Sequence, residues 1–187
     1  NLVKLASFAL SRRDPEYVGR AMKVQEEEKL RKQAKYSDEL VKTVKQLGFT
    51  EDVLKNTLFG SAVFARKPGD GSAREQAASC QRVLGGCANI CYEFATKRYR
   101  SNCVNWGLMP FSIDKSVDFK WQPGDYVFVP GLKQALLEMK KEIPAKVVSK
   151  AGVEDIVLKL EALTEEERDI LLAGCLMNWY AEKLSKE

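Results

Sequence analysis

A short apolar stretch, Ser61 to Ala65, leads into Gly69-Asp70-Gly71-Ser72-Ala73-Arg74-Glu75-Gln76-Ala77-Ala78. The order predicts a strand, a glycine loop and then a helix, and no other part of the chain constrains the fold as tightly. Glycines at 69 and 71 let the backbone turn sharply and approach a ligand closely. The helix that follows offers unpaired N–H groups and a partial positive charge, which suits an anion. Arg74 adds a planar, permanently charged fork for a carboxylate or phosphate. Ser72 stands at the rim with its hydroxyl available. The same residues also spell a capping box: Glu75 follows Ser72 at the spacing where the serine oxygen takes the Glu75 N–H and the glutamate reaches back. Capping and ligand binding therefore compete for one hydroxyl. No Lys-Ser or Lys-Thr pair follows Gly71 and the third glycine of a dinucleotide fingerprint is missing, so the loop is neither a Walker loop nor a Rossmann turn.

Around this unit the chain alternates. Asp14-Pro15 opens a helix whose charged run, Glu26 to Lys32, is expected to be a solvated face. Ser37 to Leu47, closed by Gly48, predicts another helix. The helix after the glycine loop should run from Ala73 to Leu84 and end at Gly85-Gly86. A strand over Ala88 to Phe94, a helix over Thr96 to Asn105, a strand over Asp125 to Val129 and a helix over Leu132 to Lys140 follow. Ala145 to Ser149 and Asp155 to Leu160 form a hairpin turning at Ala151-Gly152. Thr164 with Glu167 is a second capping box, opening one last helix through about Lys186. The expectation is an α/β domain with a small mixed sheet flanked by helices and a helical lead-in at the N-terminus.

The 187 residues fit a single domain able to bury a core. The net charge of +4 falls short of the concentrated basic footprint of a nucleic-acid binder. No run approaches the apolar length of a membrane span. Five cysteines, Cys80, Cys87, Cys91, Cys103 and Cys175, form no regular disulfide pattern, which favours a reducing, cytoplasmic setting and small buried thiols.

Taken in order, Gly71-Ser72-Ala73-Arg74-Glu75-Gln76-Ala77-Ala78, Val83-Leu84-Gly85-Gly86, Phe94-Ala95, Ser101-Asn102 and Trp106-Gly107-Leu108-Met109-Pro110 resemble the C-terminal swivelling domain (β/β/α type) of the aconitase family, and within it the bacterial hydratases most of all. Ile143 to Leu160 is similar to the family's terminal hairpin, and Ala173-Gly174-Cys175-Leu176-Met177-Asn178 to the small-residue segment of its last helix. The resemblance implies that residues 1–187 are one such domain, with 1–57 a mainly helical lead-in and 58–187 the core. It implies that Ser72 is the base that removes a proton beside a carboxylate. Arg74 would bind substrate carboxylate, with Gly71 and Ala73 lining the substrate beside it. Ala73 replaces the family's second serine and Gln76 its histidine, so one hydroxyl donor and one titrating neighbour are lost.

The family's cofactor is a [4Fe-4S] cluster whose three cysteine ligands, two in a Cys-x-x-Cys pair, lie on other domains. No such pair and no histidine occur here. The family's Thr-Asp-His-Ile strand and a further substrate arginine are also not visible, and Asn1 is not an initiator residue. The resemblance thus implies a piece of a larger hydro-lyase acting on a di- or tricarboxylic hydroxy acid, inactive without its cluster-bearing domains. One alternative is the small subunit of a split isopropylmalate-type dehydratase, partnered by a large subunit. An alternative of another class is an RNA-binding module on Lys97-Arg98-Tyr99-Arg100, with Tyr99 stacking on a base.

Overall fold

The computed structural model describes residues 1–161 and 163–185. Eight helices and six strands follow in the order α1 (Leu2–Ser11), α2 (Tyr17–Lys32), α3 (Asp38–Gln46), β1 (Ser61–Ala65), α4 (Arg74–Val83), β2 (Gly86–Cys91), α5 (Lys97–Asn105), β3 (Met109–Ile113), β4 (Tyr126–Phe128), α6 (Leu132–Leu137), β5 (Glu142–Ser149), β6 (Gly152–Lys159), α7 (Glu165–Ala173) and α8 (Leu176–Leu184), with a 3-10 turn over Glu51–Asn56. The strands form one mixed six-stranded sheet in the order β1-β2-β3-β6-β5-β4. Its first half is parallel, since α4 and α5 return the chain from β1 to β2 and from β2 to β3. The second half is antiparallel, with the β5–β6 hairpin paired from Glu142↔Lys159 to Ser149↔Gly152. The α/β class and the flanked mixed sheet match the sequence expectation.

The two halves are buried differently. From Ala88 to Cys91 every residue of β2 is buried, as expected where helices cover a parallel sheet. Strand β6 alternates in its second half, with Ile156 and Leu158 inside and Asp155 and Val157 outside. The main core joins Ile90, Phe111, Ile113, Ile143, Val147 and Leu158 to Val104, Ile170, Leu171 and Trp179 from α5, α7 and α8. Each fully buried aliphatic side chain there stabilises the fold by roughly 1.5–3 kcal/mol. The lead-in packs on α4: Ala6 and Ala21 close against Cys80 and Leu84. No helix among the described residues is long and apolar enough to cross a membrane.

Several expectations need correction. The last helix is two. Gly174 takes a left-handed φ of +95° and stops α7, Cys175 is extended, and α8 starts at Leu176; the expected end near Lys186 lies outside the described residues. Strand β3, where the sequence offers a motif and no strand is expected, carries Pro110 inside it. Its pairing with β6 begins at Ser112, so the proline stands where the ladder on that side is open. Helix α2 begins at Tyr17, with Asp14 Oδ1 accepting from the Glu16 and Tyr17 N–H groups at 3.0 and 3.2 Å. Helix α6 stops at Leu137, short of Lys140, ahead of a left-handed Met139. The charged run of α2 is solvated except at Glu27, which is half-buried, and at Glu28 and Arg31, which pair at 2.6 Å; Arg31 also donates to Leu54 O at 2.8 Å and Glu28 accepts from the Phe59 N–H at 3.1 Å.

Candidate active site

The loop of residues 66–73 leaves the carboxyl end of β1 and is fastened to the loop that leaves β2. Arg66 O accepts from Tyr92 N at 3.2 Å, Pro68 O from Ala95 N at 2.8 Å, and Gly69 O from Thr96 Oγ1 at 3.0 Å. Thr96 also caps α5, accepting from Tyr99 N at 3.2 Å. Gly69 has a φ of +97°, and a Cβ there would lie 2.3 Å from the Tyr99 Cβ, so no other residue fits. Gly71 differs from expectation: its φ is not left-handed and a Cβ would meet nothing within 4 Å. The tight turn belongs to Gly69 alone.

Beyond this turn Gly71, Ser72 and Ala73 are exposed, and Arg74 is half-buried. Ala73 is the N-cap of α4, and no side chain caps the helix. The capping box expected from Ser72 and Glu75 is absent. Helical bonding starts with Ala77 N to Ala73 O at 3.0 Å, so the N–H groups of Arg74, Glu75 and Gln76 have no intrahelical acceptor. Arg74 Nε is buried without a hydrogen-bond partner among the described residues. Serine, arginine and first-turn N–H groups thus share one end of one helix, with the hydroxyl open to solvent.

Helix α4 is held against α5 at two levels. At its first turn the Glu75 carboxylate accepts from Asn102 Nδ2 and from Trp106 Nε1. Deeper in, Gln81, Asn89 and Tyr99 close a ring: Gln81 Nε2 donates to Tyr99 Oη at 3.1 Å, Tyr99 Oη to Asn89 Oδ1 at 3.2 Å, and Asn89 Nδ2 to Gln81 Oε1 at 3.0 Å. In the sequence, Glu75 has a role only as a cap, and Asn102 and Trp106 figure only as members of the ordered motif. Asn102 on α5 and Trp106 at its C-cap stand four apart, which places them on one face, but nothing local names the partner they meet.

A cleft lies at the same end of the sheet, lined by Arg66 and Lys67 after β1, Tyr92 and Glu93 after β2, and Lys115 to Asp118 after β3. Glu93 ties its walls together, accepting from Lys115 Nζ and, at 2.5 Å, from Lys67 Nζ. Those two ammonium groups, Lys115 first, hold its carboxyl down at about 2. Tyr92 fixes the third wall by donating to Val117 O at 2.8 Å and accepting from Phe119 N at 3.1 Å.

The cysteines behave as compact apolar groups. All five are free; Cys80, Cys91 and Cys103 are buried. Burial pushes the thiols of Cys87 up to about 11 and those of Cys91 and Cys103 up to about 12. Among the described residues no three His, Cys, Asp or Glu side chains are grouped to hold a metal ion, so these residues do not fit an iron-sulfur cluster as its ligands. The base-stacking role of Tyr99 is overturned: the ring is 3% exposed and its hydroxyl is locked in the polar ring. Arg100 is likewise engaged, donating to Glu161 O at 3.0 Å and pairing with Glu167 at 3.5 Å, which leaves only Lys97 and Arg98 exposed from that run.

No protein-family model matches the chain. A curated protein of Emericella nidulans named "Putative aconitate hydratase, mitochondrial" is 30% identical over 112 residues, 59% of this chain and 14% of that protein. The chain therefore spans about one seventh of that relative's length. A solved structure, 3-isopropylmalate dehydratase (LeuD) of Methanocaldococcus jannaschii, is 25% identical, covers 74% of each chain and superposes with a TM-score of 0.45. The 112-residue match, beside a strand, glycine loop and helix carrying the ordered motif from Gly71 to Pro110, supports the resemblance of this chain to the swivelling domain of the aconitase family.

Proposed function

We propose that this chain is the substrate-gripping domain of an aconitase-family hydro-lyase that acts on a di- or tricarboxylic hydroxy acid. In this reading Ser72 takes the proton from the carbon beside a substrate carboxylate. Arg74 holds that carboxylate, with the backbone of Gly71 and Ala73 alongside. Proton removal builds negative charge on the carboxylate, so donors already fixed around it stabilise the transition state without reorganising. A serine hydroxyl is a weak base at its free pKa; it acts as an alkoxide stabilised by the guanidinium and by the open first turn of α4. Ala73 offers no hydroxyl where the family has a serine, which favours a substrate or binding geometry different from citrate. The companion domains, as further parts of the same protein or a separate large subunit, would hold the [4Fe-4S] cluster that the family implies, and the free thiols suit a reducing compartment.

The observation that carries this reading is the uncommitted Ser72 hydroxyl beside Arg74, where a cap would normally have consumed it. In the complete enzyme, Ser72→Ala should cut turnover by about 10²- to 10⁴-fold while substrate still binds. Turnover that survives nearly unchanged overturns the assignment. The electronic spectrum of the protein purified without oxygen, together with its companion domains, reveals or excludes the cluster independently.

A further inference from the structure

Two arrangements of one loop compete for Glu75. Its spacing from Ser72 spells a capping box, and Thr164 and Glu167, with the same spacing, close both bonds of such a box at 3.1 and 2.9 Å. At α4 neither bond forms. Both oxygens of Glu75 are instead engaged by α5: Oε2 accepts from Asn102 Nδ2 and Oε1 from Trp106 Nε1. Glu167 also meets α5, through Arg100, but it gives that arginine one oxygen and keeps the other for the Thr164 N–H. Held by these two bonds, neither oxygen of Glu75 accepts from the Ser72 N–H.

We propose that Asn102 and Trp106 are positioning residues that hold Glu75 out of the capping box, so that the Ser72 hydroxyl and the first-turn N–H groups of α4 stay free for a substrate carboxylate; this rests on the proposed function of that site. The lock is made from neutral donors. It adds no cation to compete with Arg74, and it draws a negative charge toward α5. The polar ring of Gln81, Asn89 and Tyr99 fixes α5 against α4, so Asn102 and Trp106 meet Glu75 from a rigid platform.

Releasing the lock should let the box close. In the full-length protein, Asn102→Ala with Trp106→Phe frees the Glu75 carboxylate. Hydrogen exchange resolved to single amides should then slow about five- to tenfold at Ser72 and Glu75, the two N–H groups a box would occupy. Adding Glu75→Ala should restore fast exchange at Ser72, because the reach-back bond can no longer form. A lock that is only structural predicts otherwise: the double variant loses stability while exchange at both amides stays as fast as before, and that result overturns the proposal. Slow exchange at these two amides in the unaltered protein overturns it as well, whether or not the double variant folds. No substrate enters the measurement, so it stands apart from the turnover of Ser72→Ala, which tests the base.

Discussion

Helices α4 and α7 are announced by the same sequence signature, and the two starts differ. Thr164 accepts from the Glu167 N–H and Glu167 from the Thr164 N–H, so the head of α7 is closed by its own residues. The head of α4 is open: Ser72 caps nothing, Ala73 occupies the cap position, and Glu75 is bound by a neighbouring helix. A capping box is worth only about 1 kcal/mol, small enough for two tertiary hydrogen bonds to overrule it. Where a helix start merely ends an element, local satisfaction prevails. At the head of α4, tertiary contacts leave its donors unsatisfied, and an unsatisfied helix start at the carboxyl end of parallel strands is a place for an anion.

Exchanging Ser72 and Thr164 for alanine gives the largest expected contrast. Ser72→Ala should cut turnover of the complete enzyme by about 10²- to 10⁴-fold, the range for loss of a general base, yet leave the unfolding midpoint where it was. Thr164→Ala should do the reverse, leaving turnover intact and costing about 1 kcal/mol in a denaturant titration. Equal stability losses for both substitutions would show that Ser72 caps α4 in solution. Next in size is Arg74→Lys, which keeps the charge and loses the fork. It should weaken binding of a dicarboxylate by about 1.5–3 kcal/mol, read by calorimetry, with little change in stability.

The comparison also shows how far sequence carries. The Thr164 box was legible because both partners lie within one turn, and so were the strand-loop-helix at β1 and α4, the helix over Ser37 to Leu47 and the β5–β6 hairpin. The open head of α4 was not, since its state is decided by Asn102 and Trp106, 27 and 31 positions from Glu75. The break between α7 and α8 fails in the same way. A Cβ on Gly107 would lie 1.7 Å from Gly174 O, so two backbones touch there, and nothing local to either glycine reports the other. Tyr99 stood in a basic run that suggested a surface; burial beneath the glycine loop is a tertiary fact. Ser72 and Arg74 are named by the motif, whereas the donors that engage Glu75 beside them come from elsewhere in the chain.

The smallest effect expected concerns what holds the open end together in place of a cap. Glu93 joins Lys67 of the glycine loop to Lys115 of the loop after β3, so one exposed carboxylate spans segments that leave three parallel strands. Its carboxyl sits at about 2 in the fold against an ordinary 4.5. A lowered folded value means that the unfolded chain binds the proton first. The tie therefore contributes fully above about pH 4.5, fades as the pH falls, and is gone once the pH has dropped through about 2. Because all three groups face solvent, the contribution is small and salt-sensitive, below that of the Thr164 cap. Glu93→Gln should accordingly lower the neutral part of a stability-against-pH curve slightly at low salt and converge on the parent as the pH falls through about 2, giving a flatter acid limb, while Thr164→Ala lowers the whole curve evenly. An acid limb of the same slope in Glu93→Gln and the parent protein would mean that the backbone bonds from Tyr92 and Ala95 to Arg66 and Pro68 hold the loop without the carboxylate.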